Sequence, residues 1–169
     1  QKVEEPKGEV VDCPVNEKMP AWRIEVLSSE ILEKKKSLEE EEIIVVAGRG
    51  AQSEIGVSLC RKLAQALGGQ LAFTRPMVEN GYGDTAHQIR LSGRTVRPKL
   101  IITCGVSGAI QFTSCMNQSE CIVAINQNPE AQIFKTAHYC ITDDLYQVVP
   151  RLSELAVRPK EEEKDGLSL

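Results

Sequence analysis

Residues 100–108 read LIITCGVSG, an apolar run of strand length that ends in a turn containing two glycines and a serine. The same arrangement occurs at residues 43–50 (IIVVAGRG) and 121–129 (CIVAINQNP). Continuous apolar runs of this length are typical of strands buried on both faces of a parallel sheet. Ligands of such sheets bind outside the carboxyl ends of the strands, where glycines let a backbone approach a phosphate closely. The three turns therefore predict a nucleotide-type ligand, which helix N-termini after the turns would favour further.

Strands and helices alternate around these runs. Residues 53–67 carry apolar residues, Ile55 among them, at the spacing of an amphipathic helix that a pair of glycines ends. The other predicted elements are, in order, a strand, a loop, a helix, a strand and a last helix, at residues 70–74, 79–84, 108–116, 139–141 and 143–156. Asp143 or Asp144 is the expected N-cap of the last helix, and Pro150 predicts a kink or an early end there. This alternation predicts an α/β fold with a doubly wound parallel sheet.

Three parts follow one another along the chain. Residues 1–42 combine extended pieces with a Glu- and Lys-rich stretch at 30–42, which we interpret as the end of a preceding domain and a solvated connector. Residues 43–157 are expected to form the ligand-binding domain. Residues 158–169 are highly charged and are expected to be a disordered tail.

Composition excludes several classes of function. A net charge of -4 and an aromatic content of 4% argue against nucleic-acid binding. No apolar segment has the length of a bilayer span, and no signal-peptide pattern opens the sequence. The six cysteines lack a Cys-x-x-Cys pair, so we expect buried reduced thiols in a reducing, cytoplasmic compartment. Two histidines are too few for a typical metal centre, and no hydrolase or P-loop motif occurs, so no metal ligand or catalytic residue is predicted.

Polar residues follow four of the predicted strands. Arg49 could clamp phosphate oxygens, and Ser107 could cap a helix or donate to a phosphate. Thr74 and Arg75 end the second strand with a hydroxyl and a cation. Asn126 alone is more typical of a turn former than of a ligand contact. Because the carboxyl ends of parallel strands share one edge, we expect these side chains to converge.

Several motifs together resemble the FAD-binding C-terminal domain of the electron-transfer flavoprotein alpha subunit. They read VVAGRG, TRP, PKL, GVSGAIQ, IVAIN and NPEAQIF, at residues 45–50, 74–76, 98–100, 105–111, 122–126 and 128–134. The resemblance covers residues 43–155 with nearly constant spacing and is most specific between residues 105 and 134. It implies a Rossmann-like, DHS-like NAD/FAD-binding domain holding one FAD. It also implies that this chain is a fragment or an unusually short member, because most of the family's N-terminal domain is missing.

The resemblance further implies the function of an electron carrier rather than of a turnover enzyme. Electrons would arrive from acyl-CoA-type or other dehydrogenases and leave to a quinone reductase or another carrier. An electron-transfer flavoprotein beta subunit would close over the flavin, giving a heterodimer. The family implies a bacterial, cytoplasmic protein without a membrane span or a nucleic-acid partner.

Carried over position by position, the resemblance implies a set of cofactor contacts. Arg49 would contact the pyrophosphate, and Thr74, Arg75 and Ser92 would lie at the flavin ring. Residues 107–111 would wrap the ribityl phosphate, whereas Asn126 and Asp144 would lie towards the adenosine. The complete implied set is Arg49, Thr74, Arg75, Ile89, Arg90, Leu91, Ser92, Ser107, Gly108, Ala109, Ile110, Gln111, Phe112, Asn126, Asp144 and Leu145.

Four positions depart from the family pattern. Phe112 replaces a histidine that donates to the flavin, Arg90 and Leu91 replace glycine and glutamine, and His138 replaces an aspartate. We expect FAD to bind with a shifted potential, and Arg90 to supply some of the lost positive field. Two alternatives stay open. One is a flavin-free subunit that serves as an interaction module. The other is an NAD-type nucleotide-binding domain, against which Gln70 counts because an acidic residue is expected there.

Overall fold

The computed structural model describes residues 11–12, 27–29, 37–89 and 95–157. The chain divides into two compact units, Gln1–Lys34 and Lys35–Leu169, and all secondary structure of the described residues lies in the second. The charged tail at 158–169 and most of the N-terminal extended pieces lie outside the described residues. The three-part domain division remains a prediction.

The described residues contain a five-stranded sheet in the order β2-β1-β3-β4-β5, and every neighbouring pair is parallel. The strands β1 to β5 are Ile43–Ala47, Gln70–Phe73, Leu100–Cys104, Cys121–Ile125 and Tyr139–Ile141. The predicted doubly wound parallel sheet is therefore confirmed, with strand ends within one residue of those expected. The chain runs outward from β1 to β2 and then returns to the other side of β1. The topological switch point consequently lies between the carboxyl ends of β1 and β3.

Four helices, α1 to α4, accompany the strands in the described residues. They are Glu54–Ala66, Arg75–Glu79, Ile110–Thr113 and Leu145–Val157. The predicted α1 is confirmed: Gly56 N–H donates to Ser53 Oγ at 2.9 Å as an N-cap, and Gly68 ends the helix with a φ of 70°. Ile55, one of the apolar residues at that spacing, does not belong to the buried face, because it is 68% exposed. Shorter 3-10 turns occur at Leu38–Glu40, Arg49–Ala51, Thr85–His87 and Gln132–Lys135.

Three helix predictions need correction. The helix predicted at 108–116 is limited to Ile110–Thr113, because Gly108 has a φ of 87° and Ala109 a ψ of 142°, neither of them helical. Helix α2 is absent from the prediction, although Pro76 stands in its first turn, where proline is favourable. The early end expected at Pro150 is wrong, since α4 continues to Val157.

Both faces of the sheet are covered, and the side chains of β1 alternate between them. Val45 and Ala47 pack on the face that carries α1 and α4, whereas Ile44 and Val46 pack on the other. The second face is covered by irregular segments and short helices rather than by long ones, through residues such as Leu38, Val96, Phe112, Met116 and Ile133. Leu38 is only 3% exposed, so this part of the supposed solvated connector belongs to the core.

The cysteines are largely part of this core. Cys60, Cys104 and Cys115 are buried free thiols, as expected, but Cys140 is exposed. Hydrogen bonding to Cys60, together with burial, raises the pKa of Cys104 well above its usual value. The Cys104 thiol therefore stays neutral and behaves as a small apolar side chain. Cys13 lies outside the described residues.

Two glycines with positive φ allow a matched test of loop packing. A Cβ at Gly108 would collide with the backbone of Ile133, whereas a Cβ at Gly81 would meet nothing within 4 Å. We expect Gly108→Ala to lower the free energy of unfolding by at least about 3 kcal/mol, because left-handed strain and steric overlap combine. Gly81→Ala, the control, should cost about 1 kcal/mol through strain alone. Equal losses in urea denaturation of the two variants would contradict this assignment.

Candidate functional site

The turns after β1 and β3 are packed backbone against backbone at the switch point. Gly48 N–H donates to the Cys104 carbonyl and Gly50 N–H to the Gly105 carbonyl, both at 2.9 Å. A Cβ on Gly48 would lie 2.6 Å from the Gly105 oxygen, and one on Gly50 would lie 2.8 Å from Gly105 Cα. On the side where a Cβ would stand, these glycines therefore approach each other. Gly50 and Gly105 also line a groove, so their expected approach to a phosphate remains a prediction. Their contact holds two neighbouring strand ends together.

A groove of about 570 Å³ lies on one side of this contact. We call it the acidic groove, because its wall contains Glu130, Asp143 and Asp144. Its complete lining is Arg49, Gly50, Gly105, Ser107, Asn126, Gln127, Asn128, Glu130, Ala131, Gln132, Asp143, Asp144, Leu145 and Tyr146. Carboxylates accept hydrogen bonds from hydroxyl groups and repel phosphates, so this wall suits a neutral, hydroxyl-bearing group.

A larger groove of about 840 Å³ lies on the other side. We call it the apolar groove, because Val78, Ile89, Val106 and Phe112 contribute to its wall. Its complete lining is Arg49, Thr74, Arg75, Pro76, Val78, Glu79, Thr85, Gln88, Ile89, Val106, Ser107, Ala109, Gln111 and Phe112. An apolar wall with a few polar groups is the usual lining of a pocket for a ring-shaped ligand.

Arg49 and Ser107 line both grooves and therefore mark their junction. The Arg49 guanidinium makes no hydrogen bond or ion pair to any described residue and remains available to an anion. Ser107 does not cap α3, contrary to one expectation, because the N-cap position is Ala109 and no side chain bonds there. One cation and one free hydroxyl thus stand together at the switch point.

Asn126 and Asp144 shape the acidic groove through bonds within the protein. Asn126 Nδ2 donates to the Val106 carbonyl at 2.8 Å, and its Oδ1 accepts from Asn128 N–H at 2.9 Å. The interpretation of Asn126 as a turn former is therefore confirmed, and the residue also ties two strand-end turns together. Asp144 Oδ1 accepts from Tyr146 N–H at 3.0 Å in the first turn of α4, as an N-cap does.

Thr74 carries an unsatisfied hydroxyl in the apolar groove. It is 7% exposed, and its Oγ1 is the buried side-chain polar atom of the described residues for which no hydrogen-bond partner exists. Thr74 stands at the N-cap of α2, yet its hydroxyl does not cap the helix. A buried polar atom without a partner costs free energy, so this hydroxyl is a reason to expect a ligand in the groove. Neighbouring Arg75 is paired with Glu79 at 2.7 Å on the exposed surface of α2.

The structure brings most of the predicted site residues to these two grooves. Two of them line neither groove: Gly108 is buried against Ile133, and Ile110 is 78% exposed. Arg90, Leu91 and Ser92 lie outside the described residues. The roles assigned to all of these positions remain predictions.

Several residues that line the grooves were not predicted from the sequence, and two of them illustrate why. Gln88 lies in the apolar groove and Tyr146 in the acidic one, where its hydroxyl is 2.7 Å from Ser53 Oγ. No local pattern marks either residue, since one follows a short turn and the other lies within the predicted helix.

A capped turn leads into Gln88. Asp84 Oδ1 accepts from His87 N–H at 2.9 Å and lies 2.8 Å from His87 Nδ1. Partial burial raises the pKa of the Asp84 carboxyl, but the hydrogen bonds from the His87 side chain and backbone outweigh that effect and lower it. His138 is structural too, because its Nδ1 accepts from Ile122 N–H at 3.0 Å.

Residues 37–89 and 95–157 contain neither a candidate membrane-spanning helix nor a candidate metal site. No helix there combines the length and apolar character that a bilayer span requires. His, Cys, Asp and Glu side chains of the same residues form no group of three that could hold a metal ion.

Comparison with known proteins gives consistent matches. Residues 37–117 match the family model described as the electron transfer flavoprotein FAD-binding domain. The lactate dehydrogenase (NAD(+),ferredoxin) subunit LctC of Acetobacterium woodii is 41% identical over 95% of this chain and 38% of its own. Electron transfer flavoprotein subunit alpha of Thermoanaerobacterium thermosaccharolyticum is 48% identical over 70% of this chain and 36% of its own. The Bacillus subtilis subunit alpha is 47% identical over 69% and 36%. The chain thus spans less than two fifths of these relatives.

The turn before Gln88 gives a titration test. We expect the pKa of the Asp84 carboxyl to lie below its usual range, and His87→Ala to raise that pKa because the side-chain bond is lost. Since the folded-state pKa is lowered, the stabilisation is present above the unfolded-state pKa and disappears as the pH falls through the folded one. Carboxyl-detected NMR across pH 2 to 6 measures this, with His138→Ala as the control. An Asp84 titration that His87→Ala leaves unmoved would refute the assignment.

Proposed function

Because this chain belongs to the electron transfer flavoprotein alpha-subunit family, through its FAD-binding domain, we propose that it holds FAD across the two joined grooves and carries electrons between a dehydrogenase and an acceptor. The observation that carries the proposal is the meeting of the acidic and apolar grooves at Arg49 and Ser107, on the switch point of the sheet. A ligand that crosses this junction needs one hydroxyl-rich half, one anionic centre and one ring-shaped half. FAD has these three parts in that order.

Each part of the cofactor fits one part of the site. The ribose of the adenosine half would donate its hydroxyls to Asp143 and Asp144 in the acidic groove. The pyrophosphate would lie at the junction, against the free Arg49 guanidinium and the Ser107 hydroxyl. The flavin ring would occupy the apolar groove, where the unsatisfied Thr74 hydroxyl could bond a ring heteroatom.

The charge around the ring position is partly balanced. Arg75 would favour negative charge on the ring, but its ion pair with Glu79 reduces the field that reaches the groove. Phe112 lines the groove without a hydrogen-bond donor. We therefore propose a shifted flavin potential, to which Arg90 and Ser92 would also contribute.

FAD, when bound, supplies the reversible uptake of electrons, and the chain supplies binding and orientation. We propose that a beta subunit closes the open side of the apolar groove and that the protein is a carrier rather than a turnover enzyme. Its donor would be a dehydrogenase, of acyl-CoA type or another. The Acetobacterium woodii relative is named as a subunit of a lactate dehydrogenase, which supports a dehydrogenase as the electron donor. We place the protein in the bacterial cytoplasm, which three buried free thiols support.

A flavin-free subunit is the second candidate, favoured by the buried Phe112 ring in the groove wall. Co-expression with a beta subunit, followed by cofactor extraction, distinguishes the FAD-binding carrier from the flavin-free subunit. The proposal expects a yellow complex that releases FAD on denaturation. A colourless complex that cannot be reconstituted with FAD would establish the flavin-free alternative instead.

Arg49 gives a direct test of the junction. We expect Arg49→Ala to weaken FAD binding by about tenfold or more, because it removes a charge-assisted contact to the pyrophosphate. Arg61→Ala, on the exposed surface of α1, is the matched control and should leave the affinity unchanged. Quenching of FAD fluorescence measures both dissociation constants. Equal affinities of the two variants would place the pyrophosphate elsewhere.

A further inference from the structure

A hydrogen bond between two hydroxyls joins the first turns of α1 and α4. Tyr146 Oη lies 2.7 Å from Ser53 Oγ, although the two residues are 93 positions apart in the chain. Ser53 is the N-cap of α1, and Tyr146 is the second residue of α4. The start of α4 is itself fixed, because Asp144 Oδ1 accepts from Tyr146 N–H at 3.0 Å. The bond therefore ties one helix start to another that is already held.

Gly56 leaves the space in which this bond forms. A Cβ at Gly56 would lie 3.0 Å from the Tyr146 hydroxyl and 2.6 Å from the Ala51 carbonyl oxygen. Gly56 N–H also donates to Ser53 Oγ at 2.9 Å. A glycine inside a helix is unfavourable relative to alanine. The close approach of the tyrosine hydroxyl and the Ala51 carbonyl explains why the first turn of α1 contains one.

The turn that carries Arg49 is held at both of its ends. Residues Arg49–Ala51 form a single 3-10 turn, and Ser53 N–H donates to the Ala51 carbonyl at 2.7 Å. At the other end, Gly50 N–H is bonded to the turn after β3. The first end is thus fixed by the sheet-edge contact, and the second by Ser53 together with the side chain of Tyr146.

The position of the Arg49 guanidinium depends on this turn. No described residue bonds to the guanidinium, so only its backbone and the walls of the grooves restrict it. A charged group that is already held in place loses less entropy when it binds a ligand. Any contact that immobilises the turn therefore increases the affinity for an anion at the junction of the grooves.

We propose that Tyr146 is a positioning residue, which acts through Ser53 to hold the Arg49 turn at the junction of the two grooves. This inference rests on the proposed function, because it takes Arg49 as the contact to the anionic centre of the cofactor. Tyr146 does not have to touch the ligand in this role, although it lines the acidic groove. Loss of its hydroxyl frees the start of α1 and lets the guanidinium sample more positions.

Two double-mutant cycles test this role, in the full chain co-expressed with a beta subunit. Tyr146→Phe keeps the ring, removes the hydroxyl and should weaken FAD binding about fivefold, as measured by quenching of FAD fluorescence. In a Ser53→Ala or an Arg49→Ala background, the same substitution should change the dissociation constant by about 1.5-fold or less, because the connection is already broken. Tyr139→Phe, at a residue of β5 that is 65% exposed, is the matched control and should keep the wild-type affinity.

The possible results separate positioning from direct contact and from simple stabilisation. A loss that persists in either background would overturn the positioning role, since Tyr146 would then act on the ligand without Ser53 or Arg49. An unchanged dissociation constant in Tyr146→Phe, with a lower free energy of unfolding in urea, would overturn it as well. If Arg49→Ala binds FAD too weakly to measure, the cycle with Ser53→Ala decides. These results leave the proposed function intact, whereas a wild type that binds no FAD would overturn both.

Discussion

The site depends on the close backbone contact between the turns that follow β1 and β3. Two hydrogen bonds of 2.9 Å join these turns, and glycines at both sides leave no room for a side chain between them. Because β1 and β3 are neighbours at the point where the strand order reverses, their turns diverge on either side of the contact. The two grooves are the spaces left by that divergence, so the same contact that closes the sheet edge also creates the site.

The distribution of charge gives the site a direction. The junction carries a free guanidinium, the acidic groove carries three carboxylates, and the apolar groove combines aliphatic and aromatic side chains with polar ones. An anionic centre is attracted to the junction and repelled from the acidic side, while a ring is desolvated on the apolar side. This charge distribution favours one orientation of a ligand with two unlike halves. The unpaired hydroxyl of Thr74 adds hydrogen-bonding capacity to the apolar side.

Much of the sheet could be predicted because its signals are local. Strands β1, β3 and β4 end where the apolar runs of the sequence end. Ser53 marks the start of α1, and the glycines after α1 mark its end. Helix α2 could not be predicted in the same way, because it has five residues and too short a periodicity. Leu38 was assigned to solvent for a similar reason: a single apolar residue in a charged stretch has no pattern, and only packing against the sheet buries it.

By itself, the sequence determined the fold class and the polar residues that stand at one edge of the sheet, and it predicted that edge as the ligand site. Those properties follow from composition and spacing along the chain, and from the rule that parallel strands end together. Tertiary structure alone decided that the glycines contact each other, that Asn126 and Asp144 are held by internal bonds, and that the Thr74 hydroxyl is not. Whether a polar group is satisfied depends on neighbours that are distant in the chain, and no local pattern records them.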